Sequence, residues 1–216
     1  RSLEAKIEAH KKKPGRRRWP PYPMYLATYS GNAPAVRALL ESGVDVNKIN
    51  YYSELSREWE TSLYLAAEYG HVAVVKLLIE KCADLNEAQI PGRSPLSVAA
   101  NKGNSLCVME LLKAGADVNL ATVPNGNTPL MYAVRGREAI VALLVHHGAD
   151  VSLCNHRGET ALTIAEKYSD ELTAPTKDES EDGKQHDLRE FLHKRATSSA
   201  YRIVAMLKGT DHRKYS

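Results

Sequence analysis

An all-α solenoid of about five helix-turn-helix units, with short hairpin loops between them, is the fold this sequence predicts. Three observations predict it. The stretch Thr61–Asn86 (TSLYLAAEYGHVAVVKLLIEKCADLN) reads as two short helices back to back, and it recurs as Ser94–Asn119, Thr128–Ser152 and Pro23–Asn47, with Thr160–Lys167 repeating the first helix alone. The positions after the capping residue, Ser62, Pro95, Pro129 and Ala161, are 33, 34 and 32 residues apart. Each second helix is apolar around most of its circumference, as in Val72, Val74, Val75, Leu77, Leu78 and Ile79, and such a helix must be buried on more than one side. Neighbouring copies supply that cover, so the 216 residues, long enough for one domain or two, form one elongated domain.

Within the unit, Thr61 caps the first helix through its hydroxyl. Leu63, Leu65, Ala66 and Ala67 give it an apolar face that lets a neighbour approach, and Gly70 permits the left-handed turn that ends it. A period near 33 carrying T-P-L-x-x-A-A, a glycine, an apolar helix and G-A-D-V-N resembles the ankyrin repeat. The resemblance covers roughly residues 20–195. It implies repeats at about 20–49, 50–90, 91–123, 124–154 and 155–195, closed by a capping helix over 197–208 and a tail over 209–216.

Residues 1–19 differ from everything after them. Residues 1–18 hold eight basic side chains against Glu4 and Glu8, a net +6; the remainder has 21 basic and 24 acidic residues, a net −3. The overall +3 is therefore a property of this segment. Lys11, Lys12, Lys13, Arg16, Arg17 and Arg18 suit a nuclear-import signal or contacts with nucleic-acid phosphates; a solvated, disordered flank is the alternative. Trp19-Pro20-Pro21-Tyr22-Pro23 follows, an extended segment expected to cover the first repeat.

The family's usual histidine, which bonds to backbone between repeats, is replaced by Tyr25, Tyr64, Ser97, Met131 and Thr163. Tyrosine and threonine hydroxyls are able to substitute; Met131 is not. From Asn47 to Thr61 the chain runs six residues longer than from Asn86 to Ser94. The resemblance makes this the finger that projects on the concave side. Its Tyr51, Tyr52 and Trp59 either anchor a partner or fold back over Tyr64 and Tyr69. Cys82 stands where the next repeat has Gly115, so a left-handed conformation there implies strain of about 1–2 kcal/mol. In the fourth repeat Asn125-Gly126 signals a tight turn, and one residue is missing around Val134-Arg135, which predicts a shortened first helix. His146 and His147 end a helix, where cations suit the dipole.

After Lys167 the pattern breaks. Residues 169–186 hold six acids, two lysines and almost no apolar content, an acidic, loosely held insertion, with Ser169, Thr173, Thr176 and Ser180 as candidate phosphate acceptors. Residues 187–195 then resume as the partner helix. The helix over 197–208 presents Tyr201, Val204, Ala205 and Leu207 to the end of the stack as a lid, or opens a further unit.

Composition excludes more than it proposes. With 43% hydrophobic and 25% charged residues the chain has an ordinary soluble composition. No apolar run is long enough to span a membrane, and none of secretory-signal type opens the sequence given. The first residue is Arg, which predicts a fragment or processed chain. Cys82, Cys107 and Cys154 are spaced without any C-x-x-C pair, which argues for reduced thiols and an intracellular setting, cytoplasmic or nuclear. Phosphate-binding, nucleophile-elbow and zinc spacings are absent, so no catalytic residue, cofactor or metal ligand is assigned.

The resemblance thus implies a monomeric, non-catalytic scaffold or adaptor that binds another protein on its concave side. The family's variable positions fall at Tyr29 and Ser30, Glu60, Glu68 and Tyr69, Arg93, Asn101 and Lys102, Asn127, Arg135 and Glu159. This row runs from aromatic and acidic to basic and amide-bearing. It predicts a partner segment that is apolar or basic at one end and acidic at the other. Action through the basic segment on nucleic acid, or as the regulatory array of a larger enzyme or channel, are the competing readings.

Overall fold

A computed structural model describes residues 23–48, 51–53, 58–87, 92–123, 125–173 and 198–209. The expectations for the basic segment, for Trp19–Tyr22 and for residues 187–195 lie outside that set. The described chain is a stack of paired helices: α1 (Pro23–Tyr29) with α2 (Ala33–Glu41), α3 (Ser62–Tyr69) with α4 (Val72–Glu80), α5 (Pro95–Lys102) with α6 (Ser105–Lys113), and α7 (Pro129–Ala133) with α8 (Glu138–His146), followed by α9 (Ala161–Thr173). Residues 198–209 form α10. First helices pack in the order α1, α3, α5, α7, α9 and second helices in the order α2, α4, α6, α8. The long connection after Asn47 holds a two-stranded antiparallel hairpin, β1 (Tyr51–Ser53) and β2 (Glu58–Glu60), with Tyr51 opposite Glu60 and Tyr52 opposite Trp59.

The caps form where hydroxyls precede the first helices. Thr61, Ser94 and Thr128 hold extended backbone, and their Oγ atoms accept the N–H three residues on, from Tyr64 at 3.2 Å, Ser97 at 3.1 Å and Met131 at 3.4 Å. Proline follows at Pro95 and Pro129, where no amide hydrogen is needed. The missing residue of the fourth repeat shortens α7 to five residues against eight in α5. At Ser97 and Thr163 the hydroxyls that stand for the family histidine serve their own cap: Ser97 Oγ accepts from Ser94 at 3.0 Å, and Thr163 donates to the Thr160 carbonyl at 2.9 Å.

Two series of bonds knit one repeat to the next. Asn47, Asn86 and Asn119 each accept, through Oδ1, the backbone N–H of Asp84, Asp117 and Asp150 in the following repeat, at 2.8, 2.9 and 2.8 Å. Each of those aspartates in turn accepts the N–H two residues on at 2.9 Å. The second series runs from the residue after the helix-ending glycine. His71 Nε2 reaches the Tyr29 carbonyl at 2.8 Å, Asn104 donates to the Ala67 and Glu68 carbonyls at 2.8 Å, and Arg137 donates to the Asn101 carbonyl at 3.4 Å. These side chains lie over the glycines: a Cβ at Gly31 would meet His71 at 2.7 Å, and one at Gly103 would meet Arg137 at 2.9 Å. Glycine is favoured at both for their positive φ, and at Gly31 the bonded His71 ring leaves little room for a side chain as well. Cys82 does adopt the left-handed conformation, at φ 59°, as its alignment with Gly115 predicts.

The core is one continuous cluster from Met24 to Leu207. Toward its end the structure departs from the sequence reading. The acidic insertion does not begin at 169, because α9 continues to Thr173. Its Ile164, Ala165 and Ser169 are buried, and at i, i+1 and i+5 they hold one face of a helix whose polar residues lie on the other. Ser169, buried, is therefore not an available phosphate acceptor. In α10 the buried residues are Ala200, Ile203 and Leu207, while Tyr201 and Ala205 are exposed. The lid's apolar face thus differs from the expected one, of which Leu207 alone is fully buried. Arg202 pairs with Glu138 of α8 at 3.6 Å and Lys208 with Glu166 of α9 at 3.0 Å. That placement continues the row of second helices.

Candidate partner-binding surface

The row of positions predicted to face a partner lies at the C-terminal ends of the first helices and on the hairpins. The structure brings together most of it. At the N-terminal end the Tyr29 and Tyr69 rings meet edge to face at 4.8 Å, Tyr25 stacks on Tyr29 at 5.9 Å, and His71 stacks on Tyr69 at 6.2 Å. Tyr29 and Tyr69 remain 46% and 48% exposed and Leu26 48%, so an aromatic and aliphatic patch faces solvent. Burial raises the Tyr69 hydroxyl pKa above the usual tyrosine value, helped by the charges of Glu68 and Glu60 and by its bond with Tyr29. The hydroxyl stays protonated and able to donate.

Charge is distributed differently from the predicted gradient. Glu60 is buried at 9% exposure and offers no carboxylate to a partner: as the last residue of β2 it runs directly into the Thr61 cap at the base of the hairpin. Glu68 pairs with Lys102 at 3.1 Å, so the acid of the second repeat and the base of the third cancel. Arg93 is exposed and joins none of these groupings. The side chains of Tyr51, Tyr52 and Trp59 lie outside the described residues.

Toward the C-terminal end Asn101, Asn127, Arg135 and Glu159 line one depression of about 290 Å³, together with Asn125, Met131, Tyr132, Asn155, Arg157 and Ile164. Asn155, buried at 8% exposure, organises its floor. Its Nδ2 donates to Asn127 Oδ1 at 2.9 Å and to Glu159 Oε2 at 3.1 Å, while its Oδ1 accepts the Arg157 and Glu159 amides at 2.9 and 3.0 Å. Lys167 bonds the other Glu159 oxygen at 2.6 Å. The Lys167 and Asn155 bonds hold the Glu159 carboxyl below the ordinary value of 4.5. Behind the lining residues Asn125 and Tyr132, Thr122 donates to Asn125 Oδ1 at 2.6 Å and lies 3.1 Å from the Tyr132 hydroxyl.

Sequence reasoning missed Arg157, Asn155 and Tyr132. A signal for Arg157 existed: it precedes the hairpin glycine Gly158 as Pro91 precedes Gly92 and Asn125 precedes Gly126, two positions before Arg93, Asn127 and Glu159. Nothing in the sequence pointed to Asn155, whose importance lies in bonds across the loop. Among the described residues no group of three His, Cys, Asp or Glu side chains is placed to hold a metal, and no helix is long and apolar enough to cross a membrane.

A family model described as ankyrin repeats, in three copies, matches residues 4–89, 63–155 and 96–174. Over 76 residues the chain is 36% identical to ankyrin repeat and SOCS box protein 5 of Bos taurus, covering 35% of this chain and 21% of that protein. Over 59 residues it is 41% identical to the mitochondrial liver isoform of glutaminase of Rattus norvegicus, covering 27% of this chain and 9% of that protein. The chain thus matches only a small part of either relative's length.

Proposed function

The chain belongs to the ankyrin-repeat family, whose repeats generally mediate protein–protein interaction, and from that premise we propose that it is a non-catalytic adaptor holding a partner protein against its first-helix and hairpin face. The observation that supports this most is the exposed cluster of Leu26, Tyr29 and Tyr69. Aromatic rings half in water, rigid and bearing a hydroxyl, are the side chains that anchor interfaces, and packing on one another still leaves about half of each ring residue exposed. The face is continuous from there through Lys102 and Asn101 to Arg135, so an extended segment of a partner would cross several repeats. The glycines, hydroxyl caps and buried amides each have a place in the stacking, which supports a binding role without catalysis. Cys82, Cys107 and Cys154 are all free thiols, which suits an intracellular setting.

The test is affinity capture from cell lysate with the whole chain, a Tyr29→Ala/Tyr69→Ala variant, and a chain lacking residues 1–18, each with and without nuclease. Capture of one protein by the first and third, lost in the second, is the expected result. If capture instead disappears with residues 1–18 or with nuclease, the active part is Lys11–Lys13 and Arg16–Arg18, and nucleic acid is the partner.

A further inference from the structure

We infer that the depression between the fourth and fifth repeats is an acidic-residue subsite, taking the carboxylate of a Glu or Asp side chain from an extended peptide. The reasoning is an inventory of donors and acceptors. Arg135 and Arg157 line the depression, both are exposed, and among the described residues neither guanidinium is in an ion pair. Asn127 gives its Oδ1 to Asn155, which leaves its NH2 free to donate. Among the described residues Asn101 contributes its backbone carbonyl, to Arg137, and its side-chain amide is also available. On the acceptor side Glu159 is already occupied by Lys167 and Asn155, and Asn125 Oδ1 by Thr122. The cleft therefore has two guanidiniums and two amide NH2 groups to offer, against one acceptor, the Asn101 Oδ1, that is not already engaged. A group with several acceptor oxygens and negative charge completes it, since planar guanidiniums bind carboxylates in paired, charge-assisted bonds.

The size agrees. A volume of about 290 Å³ admits one side chain and the peptide units flanking it, at the lower limit of a ligand pocket. Glu159 also bears on selectivity. Held charged and pinned by Lys167, it repels a second carboxylate on its side of the cleft, so a single acid per subsite is preferred over a dense acidic run. This inference rests on the reading of the face as a protein-binding surface and adds an orientation to it: the partner's acid sits at repeats four and five, its apolar anchor at Tyr29 and Tyr69.

The experiment is a chemical-shift titration of the isotope-labelled whole chain with three probes of equal length: an uncharged Gly/Ser/Ala decapeptide carrying one central Glu, the same peptide with Gln, and a single-stranded oligonucleotide. The expected result is saturable shifts at Asn101, Asn127, Tyr132, Arg135 and Arg157 with the Glu peptide, at least tenfold weaker binding of the Gln peptide, and a similar loss in Arg135→Gln/Arg157→Gln with unchanged thermal unfolding. Equal binding of the Glu and Gln peptides, shifts elsewhere on the chain, or preference for the oligonucleotide in this cleft would overturn it. Failure here with continued Tyr29/Tyr69-dependent capture from lysate removes the subsite and leaves the adaptor reading standing.

Discussion

The middle of the stack and its first repeat are written in the same residue pattern, yet they are buried very differently. In α3 and α5 six consecutive residues, Ser62–Ala67 and Pro95–Ala100, are buried; in α1 only Met24, Ala27 and Thr28 are. Among the described residues the buried Thr28 hydroxyl moreover has no hydrogen-bond partner, a cost of about 1–3 kcal/mol. In α2 only Val36 is fully buried, whereas α4 and α6 bury four side chains each. Burial is thus deepest where described helix pairs pack on both sides, and the stability of such an array is held in its interfaces.

The largest expected contrast is between equivalent leucines. Leu111 and Leu207 are both fully buried, one at the centre and one at the end. Leu111→Ala should destabilise by about 3–4 kcal/mol and Leu207→Ala by about 2 kcal/mol. Urea unfolding with hydrogen exchange should show protection falling throughout in the first and only over residues 161–209 in the second; equal, global losses would erase the comparison. Next come the glycines. Gly31→Ala drives a methyl into His71, whereas Gly148 has open space around it, so thermal unfolding should show losses of about 3 and about 1 kcal/mol respectively. Asn86→Ala removes the acceptor of the Asp117 amide and should cost about 1 kcal/mol; Asn47→Ala, one repeat nearer the end, should cost no more. Cys82→Gly should stabilise by about 0.5–1 kcal/mol, relief of left-handed strain less the entropy that glycine adds to the unfolded chain, measurable as a raised urea midpoint.

The smallest effect is in pH. The Glu159 carboxyl is held below its ordinary value of 4.5, chiefly by its bond with Lys167. Its contribution is complete above that value and fades as pH falls through the depressed one, because the unfolded chain then binds the proton more readily. Exchange near Asn155–Glu159 should accelerate in acid before that of α5, and Glu159→Gln should flatten the dependence.

Much of this was legible in the sequence because it is local. The caps at Thr61, Ser94 and Thr128 follow from residues within a few positions, and the short α7 and the left-handed Cys82 from laying one copy of the repeat on the next. What the sequence hid acts across repeats: Asn86 finds its acceptor role 31 residues onward, and Glu68 finds Lys102. Polar letters also misled at 169–173, where one helical face made of Ile164, Ala165 and Ser169 suffices. In α10 the pattern was read around Tyr201, but the four-residue pair Ile203 and Leu207 is the one that repeats Cys107 with Leu111 and Ile140 with Leu144.

The asparagine series has a last member. Asn119 reaches Asp150, but two residues later stands Ser152, whose hydroxyl bonds back to Asp150 at 2.6 Å and reaches no further. In the vocabulary of polymerisation, Ser152 is a chain terminator. Splicing a consensus unit after residue 153 would leave the junction one crosslink short, and restoring Ser152→Asn in the same design would supply it. Among the described residues the asparagine series thus ends at a single side chain too short to hand it on.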